Sequence, residues 1–290
     1  MKRRSFLRWF FYRAVGDSRA KRLLIHVVLI IACIMAIYPA LRVMSVSIRP
    51  GNRVLSTDLA FIPKGATLEA YASVVTNRDF LLWVWNSLFI TITTSLIGVI
   101  IASTAAYGFS RWSFPGRTAG LIGLLTTQMI PAPMLMIPLY ILAARLDLIN
   151  TWRGLVIAYS VSAIPFSIWI LKGYYDTIPV ELEQSAMIDG ASRMGAFYRI
   201  ILPLSAPSLA IAFLFNFTSS WNEYLLARII LQKKELLTWP LGLRQMQGQF
   251  QTQWAEFSAG AILISIPVMA LFFWSSKWLI SGLTLGSVKE

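Results

Sequence analysis

Long apolar stretches with almost no charge constrain this chain more than any motif in it. A helix needs about 20 mostly apolar residues to cross the hydrocarbon core of a bilayer. Six segments meet or approach that length: Leu23–Leu41, Asn86–Phe109, Ala119–Ala144, Gly154–Leu171, Leu204–Ala227 and Phe257–Gly282. The first holds only His26 as an ionisable group, the fifth only Glu223, and the last is uncharged until Lys277. The runs are continuous, whereas membrane barrel strands alternate apolar and polar residues over about 10 positions. Lipid offers no hydrogen bonds, so such runs must close their own backbone bonds as helices. The sequence therefore predicts an all-α polytopic membrane protein with six transmembrane helices over residues 23–282. A basic segment, 1–22, precedes the helices and a short tail, 283–290, follows them. Charged residues make up 13% of the 290, about half the share of an ordinary soluble domain, which argues against a soluble enzyme.

The side chains narrow the chemistry further. One cysteine, Cys33, and one histidine, His26, leave no basis for a disulfide, a cysteine zinc site or a histidine metal centre, so no metal site and no bound cofactor are expected. No carboxylate pair or nucleophile–base pattern supports a membrane-embedded enzyme. The net charge of +13 is concentrated at the start: Lys2, Arg3, Arg4, Arg8, Arg13, Arg19, Lys21 and Arg22 stand against Asp17 alone. A basic cluster beside the first span favours a cytoplasmic N-terminus, and six spans return the C-terminus to the same side. The basic residues after that segment add nothing to the bias, so the orientation rests on it. This pattern also accounts for most of the charge without a nucleic-acid partner. Lys2-Arg3-Arg4-Ser5-Phe6-Leu7-Arg8 is similar to a twin-arginine export motif, but the long apolar stretch that begins only at Leu23 fits a retained anchor better.

Within the spans, prolines and polar residues mark irregular places. Pro131, Pro133 and Pro138 each remove a backbone donor from the third segment. Broken helix survives at membrane depth only where protein or a water-filled cavity satisfies the freed carbonyls. Pro131 and Pro133 thus either line a translocation path or mark a tightly packed kink. Trp221, Asn222 and Glu223 near the end of the fifth segment are further candidates for that path. Glu223 is expected to reach water or an arginine such as Arg228, because an unpaired carboxylate there is costly.

The most informative stretch is the polar connection 177–203, Thr-Ile-Pro-Val-Glu-Leu-Glu-Gln-Ser-Ala-Met-Ile-Asp-Gly-Ala-Ser-Arg-Met-Gly-Ala-Phe-Tyr-Arg-Ile-Ile-Leu-Pro. It reads as two short helices and a turn. Thr177 is placed to cap the first helix, Glu181 and Glu183 suit its positive end, Gly190 closes it in a left-handed conformation, and Ser192 caps the second. Met194, Phe197, Ile200 and Ile201 follow helical spacing. That face is expected to lie open until a soluble partner covers it, by a helix-in-groove contact, or until it rests on membrane lipid. Between the last two spans, Gln245-Met246-Gln247-Gly248-Gln249-Phe250-Gln251-Thr252-Gln253 is a glutamine-rich stretch, either a neutral hydrogen-bonding surface or a plain connector.

The 177–203 stretch resembles the cytoplasmic signature loop of ABC importer permeases. That loop runs Glu-Ala-Ala, three residues, Gly, nine residues, Ile, one residue, Leu-Pro. Gly190, Ile200, Leu202 and Pro203 fit the spacing, with Asp189-Gly190-Ala191 in the usual form. The Glu-Ala-Ala positions hold Gln184-Ser185-Ala186, and the acid stands one residue earlier, at Glu183. Asn86-Ser87-Leu88, Ala106-Tyr107-Gly108-Phe109-Ser110-Arg111 with Phe114-Pro115-Gly116, Trp221-Asn222-Glu223-Tyr224 and the ending 278–289 are similar to carbohydrate-importer permeases, above all those of the maltose/maltodextrin type.

The resemblance implies a permease subunit in a bacterial inner membrane. Its partners would be a second, related permease, two ATP-hydrolysing subunits that carry ATP and Mg, and an extracytoplasmic solute-binding protein. The chain itself has no Gly-x-x-x-x-Gly-Lys-Ser/Thr phosphate loop. Glu183, Gln184, Ser185, Ala186, Asp189, Gly190, Ala191, Phe197, Ile200, Leu202 and Pro203 would couple to the ATPase. Gln245, Gln247, Gln249 and Phe250 would meet the binding protein. A neutral malto-oligosaccharide is the default cargo. An acidic glycan such as alginate is the alternative, given Arg49, Arg53, Arg78, Arg145, Arg153, Lys233, Lys234 and Arg244 in the outer segments. A secondary transporter or channel acting without an ATPase is the competing class of function.

Overall fold

In the computed structural model, residues 18–52, 60–247 and 252–285 are described. Among them every regular element is helical: α1 Arg19–Ser47, α2 Glu69–Thr76, α3 Arg78–Arg111, α4 Arg117–Gln128, α5 Ala132–Arg145, α6 Trp152–Tyr175, α7 Glu181–Ile188, α8 Arg193–Leu204, α9 Ala206–Trp221, α10 Leu225–Ile230, α11 Trp239–Gln245 and α12 Trp254–Leu285, with single 3-10 turns at Pro50–Asn52 and Lys234–Leu236. Most of the basic N-terminal segment lies outside the described residues.

Four helices are long and apolar enough to cross a membrane: Ala20–Ser47, Arg78–Arg111, Trp152–Tyr175 and Trp254–Trp278. Two bent pairs bring the number to as many as six, α4 with α5 at 99° and α8 with α9 at 74°. The third apolar segment is therefore not one kinked helix. Pro131 starts α5 as its N-cap, and the missing donor there turns the chain through nearly a right angle. The fifth segment is shorter than its apolar run, because α9 stops at Trp221. At a rise of ~1.5 Å per residue, the 34 residues of α3 span about 51 Å, more than the ~30 Å hydrocarbon core. At least one end of α3 must stand clear of it.

The chain divides into two compact units, Met1–Val74 with Thr252–Ile262, and Val75–Gln251 with Leu263–Glu290. In the first, α1 is apolar on every face and exposed along most of its length, the signature of a helix solvated by lipid. Ser47 Oγ meets the Tyr71 hydroxyl at 2.8 Å, and Ser73 donates to Glu256 at 2.8 Å.

The second unit is built on α3, α6 and α9. Asn77 caps α3 by accepting from the Asp79 and Phe80 amides. Gly98 of α3 lets the helices close: a Cβ there would stand 3.0 Å from Asn216 Nδ2 and 3.5 Å from Ala163. Asn216, buried in α9, exchanges hydrogen bonds with the buried Ser167 of α6 at 2.9 and 3.1 Å. A small residue for close approach and a satisfied polar pair are the devices that bind helices where lipid removes the hydrophobic driving force. Toward Arg111, the core continues as Ala102, Ala106, Tyr107, Ile168, Leu171 and Tyr175, closed by Phe197 and Ile201 of α8.

Candidate coupling site and outer face

The end of α6 is tied to the end of α3 before the 177–203 loop begins. Lys172 and Asp176 pair at 2.5 Å, and Ser110 of α3 donates to the other Asp176 oxygen at 2.7 Å. Partial burial pushes the Asp176 carboxyl up. The hydrogen bonds from Lys172 and Ser110 and the charges of Lys172 and Arg117 outweigh that and hold it below the ordinary aspartate value. Thr177 belongs to this helix end: its hydroxyl donates to Tyr174 O at 2.7 Å, so it does not cap α7 as expected. Val180 occupies the cap position and offers no side-chain acceptor.

The turn between α7 and α8 matches the sequence reading. Gly190 has φ +89°. Ala191 N donates to Ala186 O at 2.9 Å and Gly190 N to Met187 O at 3.1 Å, the paired bonds of a helix end closed by a left-handed residue. Ser192 then caps α8 by accepting from the Gly195 amide at 3.1 Å.

Inside this loop lies a buried charge. Glu183 is 4% exposed. One oxygen accepts from the Tyr107 hydroxyl at 2.5 Å and the other from Arg111 Nε at 2.5 Å. Arg111 also donates to Ile178 O at 3.1 Å and to Ser110 Oγ at 3.1 Å. Each Glu183 oxygen thus has its own donor, the condition under which a carboxylate tolerates burial. The sequence motif 106–111 contains Tyr107 and Arg111 but assigns them no partner. Their four-residue spacing at the end of an apolar helix, which puts both on one face, is the signal that identifies them.

The amphipathic face of α8 needs a correction. Phe197 and Ile201 are not open to a partner. Phe197 is 1% exposed and packs on Tyr107 with ring centroids 4.6 Å apart, and Ile201 is fully buried. Burial against the chain's own core outcompetes exposure, because apolar area leaves water either way. The outward surface of the loop is instead Leu182, Ile188, Met194 and Tyr198, with Ile188 86% exposed. Gln184, Ser185, Asp189, Gly190 and Pro203 are also exposed, while Ala186, Ala191, Ile200 and Leu202 are half-buried. Of the residues placed at the coupling surface from sequence, Glu183 and Phe197 are therefore buried beneath it.

At the other end of α3, Asn86 and Ser87 hold the loop that follows α10. Asn86, fully buried, donates to Glu235 O at 2.9 Å and Leu237 O at 3.0 Å. Ser87 Oγ accepts from the Trp239 amide at 2.8 Å. The loop then forms α11, whose Gly242 lies flat on Trp83: a Cβ at Gly242 would come within 2.0 Å of the indole. Gln245 ends this helix and is exposed, and Gln247 accepts from Arg244. Gln249 and Phe250 lie outside the described residues.

The candidate path residues divide. Pro131 and Pro133 are exposed at the break between α4 and α5. Trp221 is core: it stacks on Phe217 at 5.4 Å and donates to Ile264 O at 3.2 Å. Asn222 is exposed and donates to Thr218 O. Glu223 is not paired with Arg228. Its two oxygens accept from the amides of Leu226 at 2.8 Å and Ala227 at 3.0 Å, where a carboxylate completes the open N–H groups of α10. Among the described residues no three His, Cys, Asp or Glu side chains are placed to hold a metal ion.

This arrangement is that of a helical membrane protein whose 177–203 connection folds as two short helices fastened to the end of α3. Residues 94–284 match the family described as the binding-protein-dependent transport system inner membrane component, and the chain belongs to that family. It is 36% identical over 283 residues to the galactooligosaccharides transport system permease protein GanQ of Bacillus subtilis, covering 95% of this chain and 99% of that one. It is 35% identical over 289 residues to the maltose/maltodextrin transport system permease protein MalG of Salmonella typhimurium, covering 94% and 97%. In fold it is similar to a bacterial ABC transporter involved in the import of the acidic polysaccharide alginate, with a TM-score of 0.78 at 24% identity over 91% of this chain and 99% of that one.

Proposed function

We propose that this chain is the permease subunit through which an ATP-driven importer moves an oligosaccharide into the cytoplasm, by alternating access. The names of its relatives support the cargo class: galactooligosaccharides for one, maltose and maltodextrin for another. The observation that carries the coupling is the surface of α7 and α8, where Leu182, Ile188, Met194 and Tyr198 project from a loop that Glu183 and Phe197 fasten to the end of α3. An apolar ridge on a rigid base suits a groove on a soluble ATPase subunit, and the fastening lets closure of that subunit move α3 as a body. ATP and Mg belong to the partner subunits in this reading. A second, related permease completes the path, and the end of α11, where Gln245 is exposed, faces the solute-binding protein.

The test is a cross-link. With Cys33 replaced by serine, Ile188→Cys should cross-link to a cysteine in the ATPase groove of the assembled complex. The yield should change when ATP is trapped. No cross-link in any nucleotide state would remove the coupling role from this loop.

A further inference from the structure

We infer that a hollow between α5 and α10 is a contact site for one carboxylate-bearing sugar unit of the cargo, with Arg228 as the residue that recognises its charge. The inference rests on the saccharide-importer reading and adds a specificity residue to it. The hollow measures about 340 Å³ and is lined by Met136, Ile137, Tyr140, Arg228, Ile229 and Gln232. That is the lower end of the size range for small-molecule sites, room for a ring rather than a chain. It lies on α5, which begins at the exposed Pro131 break, and on α10, which Glu223 caps.

Its chemistry is mixed in the way a sugar requires. Met136, Ile137 and Ile229 give an apolar wall, and Tyr140, 39% exposed, offers a ring face to the C–H side of a pyranose. Gln232 supplies neutral donor and acceptor groups. Arg228 supplies charge, and among the described residues no carboxylate forms an ion pair with it. The carboxylate nearest in sequence, Glu223, has both oxygens on backbone amides. Arg228 takes no part in the ion pairs Arg111–Glu183, Lys172–Asp176 and Lys234–Asp79. A free guanidinium beside an apolar wall is a bidentate receptor for a carboxylate, and a lysine is a poorer one.

The rim is also fixed in advance. Asn150, held at φ +56°, donates its amide to Ile230 O at 2.8 Å. Its side-chain oxygen accepts from the amides of Gln232 at 2.6 Å and Lys233 at 3.0 Å. The backbone of this rim needs no further ordering on binding, so the entropic cost falls on the Arg228 side chain.

The test uses the whole complex in liposomes, with its ATPase subunits and binding protein. Uptake of a mannuronate trisaccharide is compared with uptake of maltotriose, and the readout is the ratio of their kcat/KM values, which does not depend on how much complex assembles. Arg228→Met should lower the uronate-to-neutral ratio about tenfold or more, the scale of one lost charge-assisted contact. Arg228→Lys should recover part of it, and Tyr140→Leu should slow both sugars. An unchanged ratio in Arg228→Met overturns the inference, as does a wild-type complex that carries maltotriose and not the uronate. A wild-type complex that carries neither of these nor any other saccharide, yet still takes up a non-saccharide solute with ATP, overturns the saccharide reading itself.

Discussion

Removing the buried carboxylate of the coupling loop gives the sharpest test of how the loop is held. Glu183→Leu keeps the volume roughly constant and takes away both acceptors. Tyr107 and Arg111 then lose their 2.5 Å partners. Arg111 keeps Ile178 O and Ser110 Oγ, but its side chain is only 9% exposed and its charge has no counter-ion left. Because solvent reaches the pair so little, the discount applied to surface salt bridges does not apply. Breaking such a pair costs about 3–5 kcal/mol, and the carbonyl and hydroxyl that remain put this site near ~3 kcal/mol. Glu183→Gln should lose less, because the amide oxygen still accepts one of the two hydrogen bonds. The assay is thermal unfolding of the purified complex alongside ATP-driven uptake, run as a double-mutant cycle with Arg111→Met. The two single variants should each lower the unfolding temperature and uncouple uptake from ATP hydrolysis. The double variant should lose less than the sum by ~1–3 kcal/mol, the range of contacting residues. Additive losses, or normal uptake in Glu183→Leu, would refute the idea that this carboxylate joins the loop to α3.

Three further outcomes follow from the same geometry. Gly190→Val should abolish uptake without preventing membrane insertion: no atom crowds its Cβ, so the cost is the left-handed backbone alone, roughly 1–3 kcal/mol, and Gly190→Asn should retain more activity, as uptake assays would report. Gly242→Val should dislodge α11, since its side chain would enter the indole of Trp83, and limited proteolysis between residues 233 and 247 should accelerate while the 177–203 loop stays protected. Asp176 is held below its ordinary value, so its contribution is present above the unfolded aspartate pKa near ~3.9 and is lost as pH falls through the folded value. The difference in unfolding temperature between wild type and Asp176→Asn should accordingly be constant above about pH 5 and shrink below about pH 4.

Much of this was legible in the sequence where the physics is local. Uncharged runs gave the membrane-crossing helices, Gly190 its left-handed turn and Ser192 its cap, because each depends on a few adjacent residues. What depends on distant partners was not legible. The sequence singles out Glu183 as a displaced acid, but only the fold brings Tyr107 and Arg111 to it. The spacing of Phe197 and Ile201 shows an apolar face without showing that α3 and α6 already cover it. Glu223 was expected to find Arg228, and it finds the amides of Leu226 and Ala227 instead, because α9 ends at Trp221 and a new helix starts. The prolines at 131 and 133 announce a disturbance, but their number does not give the 99° turn.

Transport through this chain is expected to be driven by ATP hydrolysed on partner subunits, and one measurement tests this directly. The chain is reconstituted in liposomes with the related permease, the ATPase subunits and the loaded binding protein, and uptake of labelled oligosaccharide is followed with ATP alone or with an imposed proton gradient alone. Uptake that requires ATP and the ATPase subunits, and ignores the gradient, is the expected result. Uptake that persists on the gradient after the ATPase subunits are omitted would contradict the account and make the chain a secondary transporter.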